Sequence, residues 1–281
     1  MPPIVAVIAP GMMGSAVAHR LTEKGVEVRT LLDGRGAATL TRAKHAGMTG
    51  ASDAQIAACD IVLSILPPGS ALSLAERLAP ALRAAPKKPI YVDCNALAPA
   101  TVLRIASVVQ ETGATFVDGG IIGGPPEPGS KNTRIYLSGP DAERVKILEN
   151  FGLNMPIQPG PIGAASAMKM SYAGITKGFT ALGAAMMLAA TRAGTADALK
   201  AELANSQPAL YGWLTRQMPR MYSKAYRWVA EMEEIAAFVG EDPAAAKFYQ
   251  GAAELYTRIA ADFEGRNKET AMLDAFCAKK D

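Results

Sequence analysis

The chain has 281 residues, 49% hydrophobic and 20% charged, with a net charge of +3, the mix of a soluble globular protein of one large or two medium domains. Lysines and arginines are scattered among acids, which argues against a nucleic-acid-binding face but leaves room for a small anionic ligand. Cys59, Cys94 and Cys277 are odd in number and widely spaced, and His19 and His45 are the two histidines; this argues against a disulfide framework, a metal site and a His-based triad, and points to the reducing cytoplasm.

The N-terminal segment lacks the basic start and cleavage site of a signal peptide. Short β-branched runs at residues 4–8, 26–32, 61–66, 90–93, 115–117 and 134–137 predict strands. Helical patterns fall between them at residues 13–24, 37–46, 70–85 and 99–112, with Pro99 suited to a first helical position and Gly113 to a stop. Such alternation predicts an α/β domain: a Rossmann-type, doubly wound, mainly parallel sheet covered on both faces. A Pro/Gly-rich segment at residues 155–161 marks a boundary. Beyond it the composition turns to Ala, Met, Leu, Glu and Lys, which predicts an all-helical C-terminal domain. The expected division is residues 1–160 for cofactor binding and 161–281 for substrate binding and dimerisation. The longest apolar stretch, residues 178–190, is too short to span a bilayer and contains Thr180; it reads as a buried helix in a core or between subunits.

The first predicted strand runs into Ala9-Pro10-Gly11-Met12-Met13-Gly14, a GxGxxG pattern with alanine in the first glycine's place. Gly11 would let the backbone approach a pyrophosphate at a helix N-terminus, and Gly14 would let that helix pack closely on the sheet. Ala9 is acceptable if its φ stays negative. The alternative is a strand–helix turn with incidental glycines; the strand before and the helix after it support the dinucleotide reading. At the end of the second strand, Leu32 takes the position expected for an acid on a ribose 2′-hydroxyl, and Asp33 follows it. Arg35 is suited to a 2′-phosphate. The pattern leans towards NADP; Asp33 turned inward would favour NAD.

These residues resemble the opening of the β-hydroxyacid dehydrogenases, the group that includes 3-hydroxyisobutyrate and 6-phosphogluconate dehydrogenases and the imine reductases. Four later segments line up in the same order. Ser64-Ile65-Leu66-Pro67-Pro68 resembles the family's cofactor-side loop, and Asp93-Cys94-Asn95-Ala96-Leu97-Ala98-Pro99 resembles its D-x-S-T-x-x-P segment. Asp118-Gly119-Gly120-Ile121-Ile122-Gly123-Gly124 stands where members carry a D-A-P-V-S-G-G substrate loop, and residues 160–169 resemble G-x-x-G-x-G-x-x-x-K. The resemblance implies cofactor contacts from Leu66, Pro67 and Asn95. It implies substrate contacts from Asn95, Gly120, Ile122, Gly123, Gly124, Lys169 and Tyr172, with Lys169 as the catalytic acid or base. Departures mark a divergent subgroup with an uncharacterised helical C-terminal domain. Ile122 replaces a serine, Asn95 and Ala96 replace Ser-Thr, and Tyr172 stands three residues after Lys169, where the family usually has asparagine. The family's K-D-L segment has only an acidic counterpart at residues 227–234.

The implied chemistry is hydride transfer between a nicotinamide and a small alcohol or carbonyl compound, β-hydroxyacid-like or bulkier and less polar. Lys169 would move the accompanying proton, with Tyr172 and Ser166 one turn to either side. An ordinary exposed helix stripe is the alternative for these three. Imine reduction and non-catalytic NADP(H) sensing are the alternative functions. For Asn95 a turn-forming role competes with ligand binding, and for the glycines of residues 119–124 a flexible loop competes with amides presented to a ligand. Tyr211, Trp213, Tyr222, Tyr226 and Trp228 line a pocket for an apolar substrate or else form core. The expected partners are a small-molecule substrate and a second copy of the chain, with no nucleic acid and no membrane.

Overall fold

A computed structural model describes residues 1–278. The chain packs as two compact units, Met1–Met170 and a second beginning at Ser171.

The first unit holds one seven-stranded sheet. Its strands are β1 (Val5–Ile8), β2 (Val28–Thr30), β3 (Thr49–Gly50), β4 (Ile61–Ser64), β5 (Ile90–Asp93), β6 (Thr115–Ile122) and β7 (Arg134–Ser138). Their order is β3-β2-β1-β4-β5-β6-β7. All neighbours run parallel except β6 and β7, which pair antiparallel. Helices α1 (Met12–Thr22), α2 (Ala37–His45), α3 (Asp53–Ala57), α4 (Ala71–Ala84), α5 (Pro99–Gln110) and α6 (Ala142–Val145) connect and flank the strands. This is the doubly wound α/β arrangement the strand–helix alternation predicts.

The strands read as continuous apolar runs because both faces are covered. Successive side chains point to opposite faces. Val5 and Val7 therefore join one core with Val17, Leu21, Leu63 and Val92. Ala6 and Ile8 join the other with Val62, Tyr91, Leu78 and Ile105. Each large aliphatic side chain buried in this way contributes about 1.5–3 kcal/mol. Local chemistry sets the helix ends: Pro99 opens α5 at its first position, Gly113 follows that helix with φ +84°, and Ser52 and Gln55 form a reciprocal capping box on α3.

The short elements β3, α3 and α6 have no counterpart in the expected segments, and two strands differ from their expected bounds. β2 covers Val28–Thr30 rather than residues 26–32, because Leu31 and Leu32 leave the ladder while still packing inward. β6 runs to Ile122, five residues beyond the β-branched run, and so takes in Gly119 and Gly120.

The second unit is helical, as its composition predicts. It comprises the rest of α7 (Ala164–Arg192), then α8 (Ala196–Ser206), α9 (Pro208–Met221), α10 (Ala225–Phe238), α11 (Pro243–Glu264) and α12 (Lys268–Cys277). Asp242 caps α11 by accepting the N–H groups of Ala244 and Ala245 at 2.9 and 3.2 Å. The aromatic residues of this half mostly serve packing. Trp228 meets Tyr256 edge-on at 5.2 Å and Trp213 tilts against Phe179 at 5.4 Å. Tyr222 is buried against Phe263 and donates to Asp274, whereas Tyr226 is exposed. By length and composition α7 passes as a membrane span, and 44% of its most apolar window is buried within the protein.

Candidate functional site

The strand order reverses between β1 and β4, the point where open α/β sheets bind ligands beyond the carboxyl ends of their strands. The Ala9–Gly14 turn leaves β1 there. Ala9 keeps a negative φ, which satisfies the condition for alanine in the first glycine's place. Gly14 is buried, and a Cβ on it would stand 2.0 Å from the Ala9 carbonyl oxygen. Gly11 is the opposite case. Its φ of −72° suits any residue, and a Cβ there would meet nothing within 4 Å. The N-terminus of α1 carries no side-chain cap, and Gly11 and Met12 are exposed while Met13 packs inward on the core. Pro10 is buried, and its carbonyl accepts Arg42 Nε at 3.1 Å. The fold leaves an open, uncapped helix start at a glycine that the protein's own packing does not require.

One register row of residues crosses the sheet at its carboxyl edge: Ile8, Ser64, Asp93, Asp118 and Ser138 are successive partners. The last four are buried polar residues, so each requires a partner inside the protein. Asn95 ties the first pair together. Its Nδ2 donates to Ser64 Oγ and Asp93 Oδ2, both at 2.9 Å, its N–H donates to Asp93 Oδ1 at 2.9 Å, and its Oδ1 accepts the N–H of Leu66. The amide is 2% exposed; its two N–H donors are used within the fold, and its Oδ1, by accepting the Leu66 N–H, holds the Leu66–Pro67 segment to the end of β5. Burial pushes the Asp93 carboxyl up to about 7; the Asn95 hydrogen bonds and Lys169 act against this, and Asp118 adds to it.

Asp118 ties the second pair. Its Oδ2 accepts Ser138 Oγ at 2.9 Å and the N–H groups of Gly163 and Ser166, each at 3.0 Å, and its Oδ1 accepts Ser166 Oγ at 2.6 Å. Ser138 Oγ in turn accepts the N–H of Ala165 at 2.9 Å. The first turn of α7 is thus capped by β6 and β7, with a carboxylate at the positive end of the helix. Two residues along β6, a Cβ on Gly120 would stand 2.8 Å from the Ala165 carbonyl oxygen and 3.2 Å from Lys169 Cβ. Gly119 is equally confined, with Asp93 O at 2.9 Å and Cys94 Sγ at 3.0 Å from such an atom. Lys169, half-buried, is therefore backed directly onto β6.

The comparisons agree with this architecture. Residues 4–155 match the family described as the NAD binding domain of 6-phosphogluconate dehydrogenase. The chain belongs to this family. Residues 190–259 match a domain of unknown function. An uncharacterised 28.5 kDa protein of Methanothermus fervidus is 32% identical over 180 residues, 63% of this chain and 67% of that protein. A 3-hydroxyisobutyrate dehydrogenase of Pseudomonas aeruginosa is 28% identical over 173 residues, 59% of this chain and 57% of the enzyme. A solved protein of unknown function, described as structurally similar to 3-hydroxyacid dehydrogenases, superposes with a TM-score of 0.68 at 29% identity, covering 91% of this chain and 98% of its own. The chain is thus a divergent β-hydroxyacid-dehydrogenase-like protein with an NAD(P)-binding domain, related to NAD(P)-dependent oxidoreductases.

The open helix start at Gly11 fits a dinucleotide pyrophosphate, since backbone amides and the helix dipole face a space that a side chain would otherwise fill. Asp33 and Arg35 both stand exposed in the segment after β2. Leu32 packs against the core instead, and a Cβ on Gly50 would lie 3.0 Å from its side chain. Gly119, Gly120 and Ile122 are strand residues paired with β7, which corrects the loop reading of this segment. Gly123 has φ +116° and a Cβ there would lie 2.5 Å from the Asn132 carbonyl oxygen, whereas Gly124 is exposed with open space around its Cα. Tyr172, three residues after Lys169 on α7, is 52% exposed.

Sequence reasoning passed over four residues with defined work here: Arg42 at the glycine turn, and Asp93, Asp118 and Ser138 in the buried row. Arg42 lies far along the chain from Pro10, and no local pattern links them. The buried acids carried a signal of their own, since an Asp ending an apolar strand run requires a partner.

Proposed function

We propose that this protein is an NADPH-preferring oxidoreductase that transfers a hydride between the nicotinamide and a small alcohol or carbonyl compound. Lys169 is its general acid and base. The observation that carries the reading is the register row from Ile8 to Ser138. The glycine turn leaves one end of this row, and the start of the lysine-bearing helix is anchored at the other, so both belong to the carboxyl edge of one sheet.

A bound nicotinamide dinucleotide supplies the hydride donor or acceptor. The chain's residues do the rest. The Gly11 turn and the start of α1 hold the pyrophosphate, and Arg35 pairs with a 2′-phosphate. Leu66 and Pro67, held by Asn95, flank the cofactor. Lys169 Nζ carries the proton that leaves the hydroxyl during oxidation, or reaches the carbonyl oxygen during reduction. Tyr172 Oη orients the lysine or the substrate oxygen. Gly123, Gly124 and Ile122 border the substrate. Ile122 offers no hydrogen bond where the resembled family has serine, which favours a substrate less polar than a simple hydroxyacid.

The protein acts as a homodimer in this reading. Ile175, Phe179, Leu182 and Met186 recur at helical spacing on α7 and are exposed, and contiguous apolar surface of this kind is costly to leave in water.

The test is an NADPH-oxidation panel of 3-oxo acids, aldehydes, aryl ketones and cyclic imines, run on wild type and Lys169→Ala. Wild-type turnover of a carbonyl compound, reduced at least 100-fold by the substitution, supports the proposal. Undiminished turnover by Lys169→Ala sinks the assignment of the lysine. Turnover confined to the cyclic imines replaces carbonyl chemistry with C=N reduction.

A further inference from the structure

The strongest unassigned feature of the molecule is the buried cluster of Asp118, Ser138 and Ser166. Asp118 is fully buried and accepts four hydrogen bonds. Ser138 Oγ accepts the Ala165 N–H, so its own proton is available for the carboxylate. The groups bonded to Asp118 are thus all donors, matched to the acceptor oxygens of a carboxylate.

Burying such a charge is costly unless every lone pair is used. A helix can be capped more cheaply by a serine or threonine of its own chain segment. Here the cap comes from a strand more than forty residues earlier in the chain, so it fixes the helix to the sheet as well as satisfying its end. Asp118 and Gly120 point to the same face of β6, being two residues apart. Asp118 grips Gly163 and Ser166, and Gly120 admits Ala165 and Lys169 to close contact. Two such contacts determine both the axial position and the rotation of the first turns of α7.

We propose that Asp118 is a positioning residue for Lys169, holding the first turn of α7 by both carboxylate oxygens and so setting where along β6, and in which direction, the lysine leaves the helix. The inference rests on the catalytic reading of Lys169 given above. Bonded to Ser166, one turn before Lys169 on α7, an Asp118 carboxylate would also favour the ammonium form of the lysine. Asp93, at the end of β5, and Cys94, just after it, also interact electrostatically with the lysine. Removing the Asp118 charge leaves those two in place and weakens the hold on the ammonium form.

The experiment is competitive acetylation with acetic anhydride, read peptide by peptide by mass spectrometry, over a series of pH values. It needs neither cofactor nor substrate. Lys44 and Lys177 serve as internal references. In Asp118→Asn, Lys169 is expected to label about five- to tenfold faster near neutrality, with its pH profile moved down by about one unit, the effect of removing one nearby buried charge. In Ser138→Ala, which loosens the anchor but keeps the charge, labelling quickens about two- to threefold and the profile stays in place. Lys169 rates and profiles unchanged in both variants, relative to the references, overturn the proposal. Should Asp118→Asn not fold, an unchanged Lys169 rate in Ser138→Ala overturns it alone. Retained turnover in Lys169→Ala would remove the catalytic reading and leave this labelling result intact, so the two failures are distinguishable.

Discussion

Asn95 and Leu66, 29 residues apart, are joined by a hydrogen bond from the Leu66 N–H to Asn95 Oδ1. The same side chain spans Ser64 and Asp93 on neighbouring strands. Asn95→Ala strands three buried polar groups at once. Each lost hydrogen bond costs about 1 kcal/mol, and more where a buried group finds no water. Asn95→Ala is expected to lower the unfolding free energy by about 2–4 kcal/mol in urea titrations, with m unchanged. A loss below about 0.5 kcal/mol would show that water replaces the amide.

Asp93 gives the protein a pH dependence of defined sign. Burial raises its folded-state value from 3.8 to about 7. Between these values the folded protein holds a proton that the unfolded chain has released. Stability contributed by this group is therefore present below about pH 4 and is lost as pH rises towards and through about 7. Equilibrium unfolding at pH 5, 6, 7 and 8 is expected to give falling stability for wild type and a flatter curve for Asp93→Asn. Identical slopes for the two proteins would contradict the assignment.

The two glycines of the turn separate folding from ligand binding. Gly14→Ala drives a methyl group against the Ala9 carbonyl, so both thermal stability and NADPH affinity are expected to fall, the latter at least tenfold. Gly11→Ala meets open space. Its melting temperature is expected to stay within a few degrees of wild type, while NADPH affinity, measured by nicotinamide fluorescence, falls about tenfold or more. Unaltered affinity in Gly11→Ala would remove the pyrophosphate from this turn.

Cofactor preference is expected to follow Arg35. Arg35→Ala should weaken NADPH binding about tenfold and leave NADH binding within a factor of about two, the loss of one charge-assisted pair to a phosphate. Parallel titrations of both cofactors decide it. Equal weakening of the two would assign Arg35 to the common part of the dinucleotide, and tighter NADH in wild type would move the selection to Asp33.

The sequence by itself determined what short-range periodicity and backbone chemistry can encode. The apolar runs Val5–Ile8, Ile61–Ser64 and Ile90–Asp93 specify strands buried on both faces. Pro99 and Gly113 specify where α5 begins and where the chain turns after it. The spacing from Ala9 to Gly14 specifies a strand–turn–helix with an open helix start. In each case neighbours along the chain supply the physical cause.

The tertiary structure alone decided which distant residues share hydrogen bonds. Gly119 and Gly120 read as loop because glycine disfavours strands, yet close approach of Asp93 and α7 holds them in β6. The partners of Asn95 and Asp118 depend on strand register, and a slip of one residue would turn those side chains to the opposite face. The pairing of Arg42 with Pro10 follows from the packing of α2 near the glycine turn. Buried polar groups must find partners wherever the fold brings them, and that requirement is met through space, across separations that no local sequence pattern records.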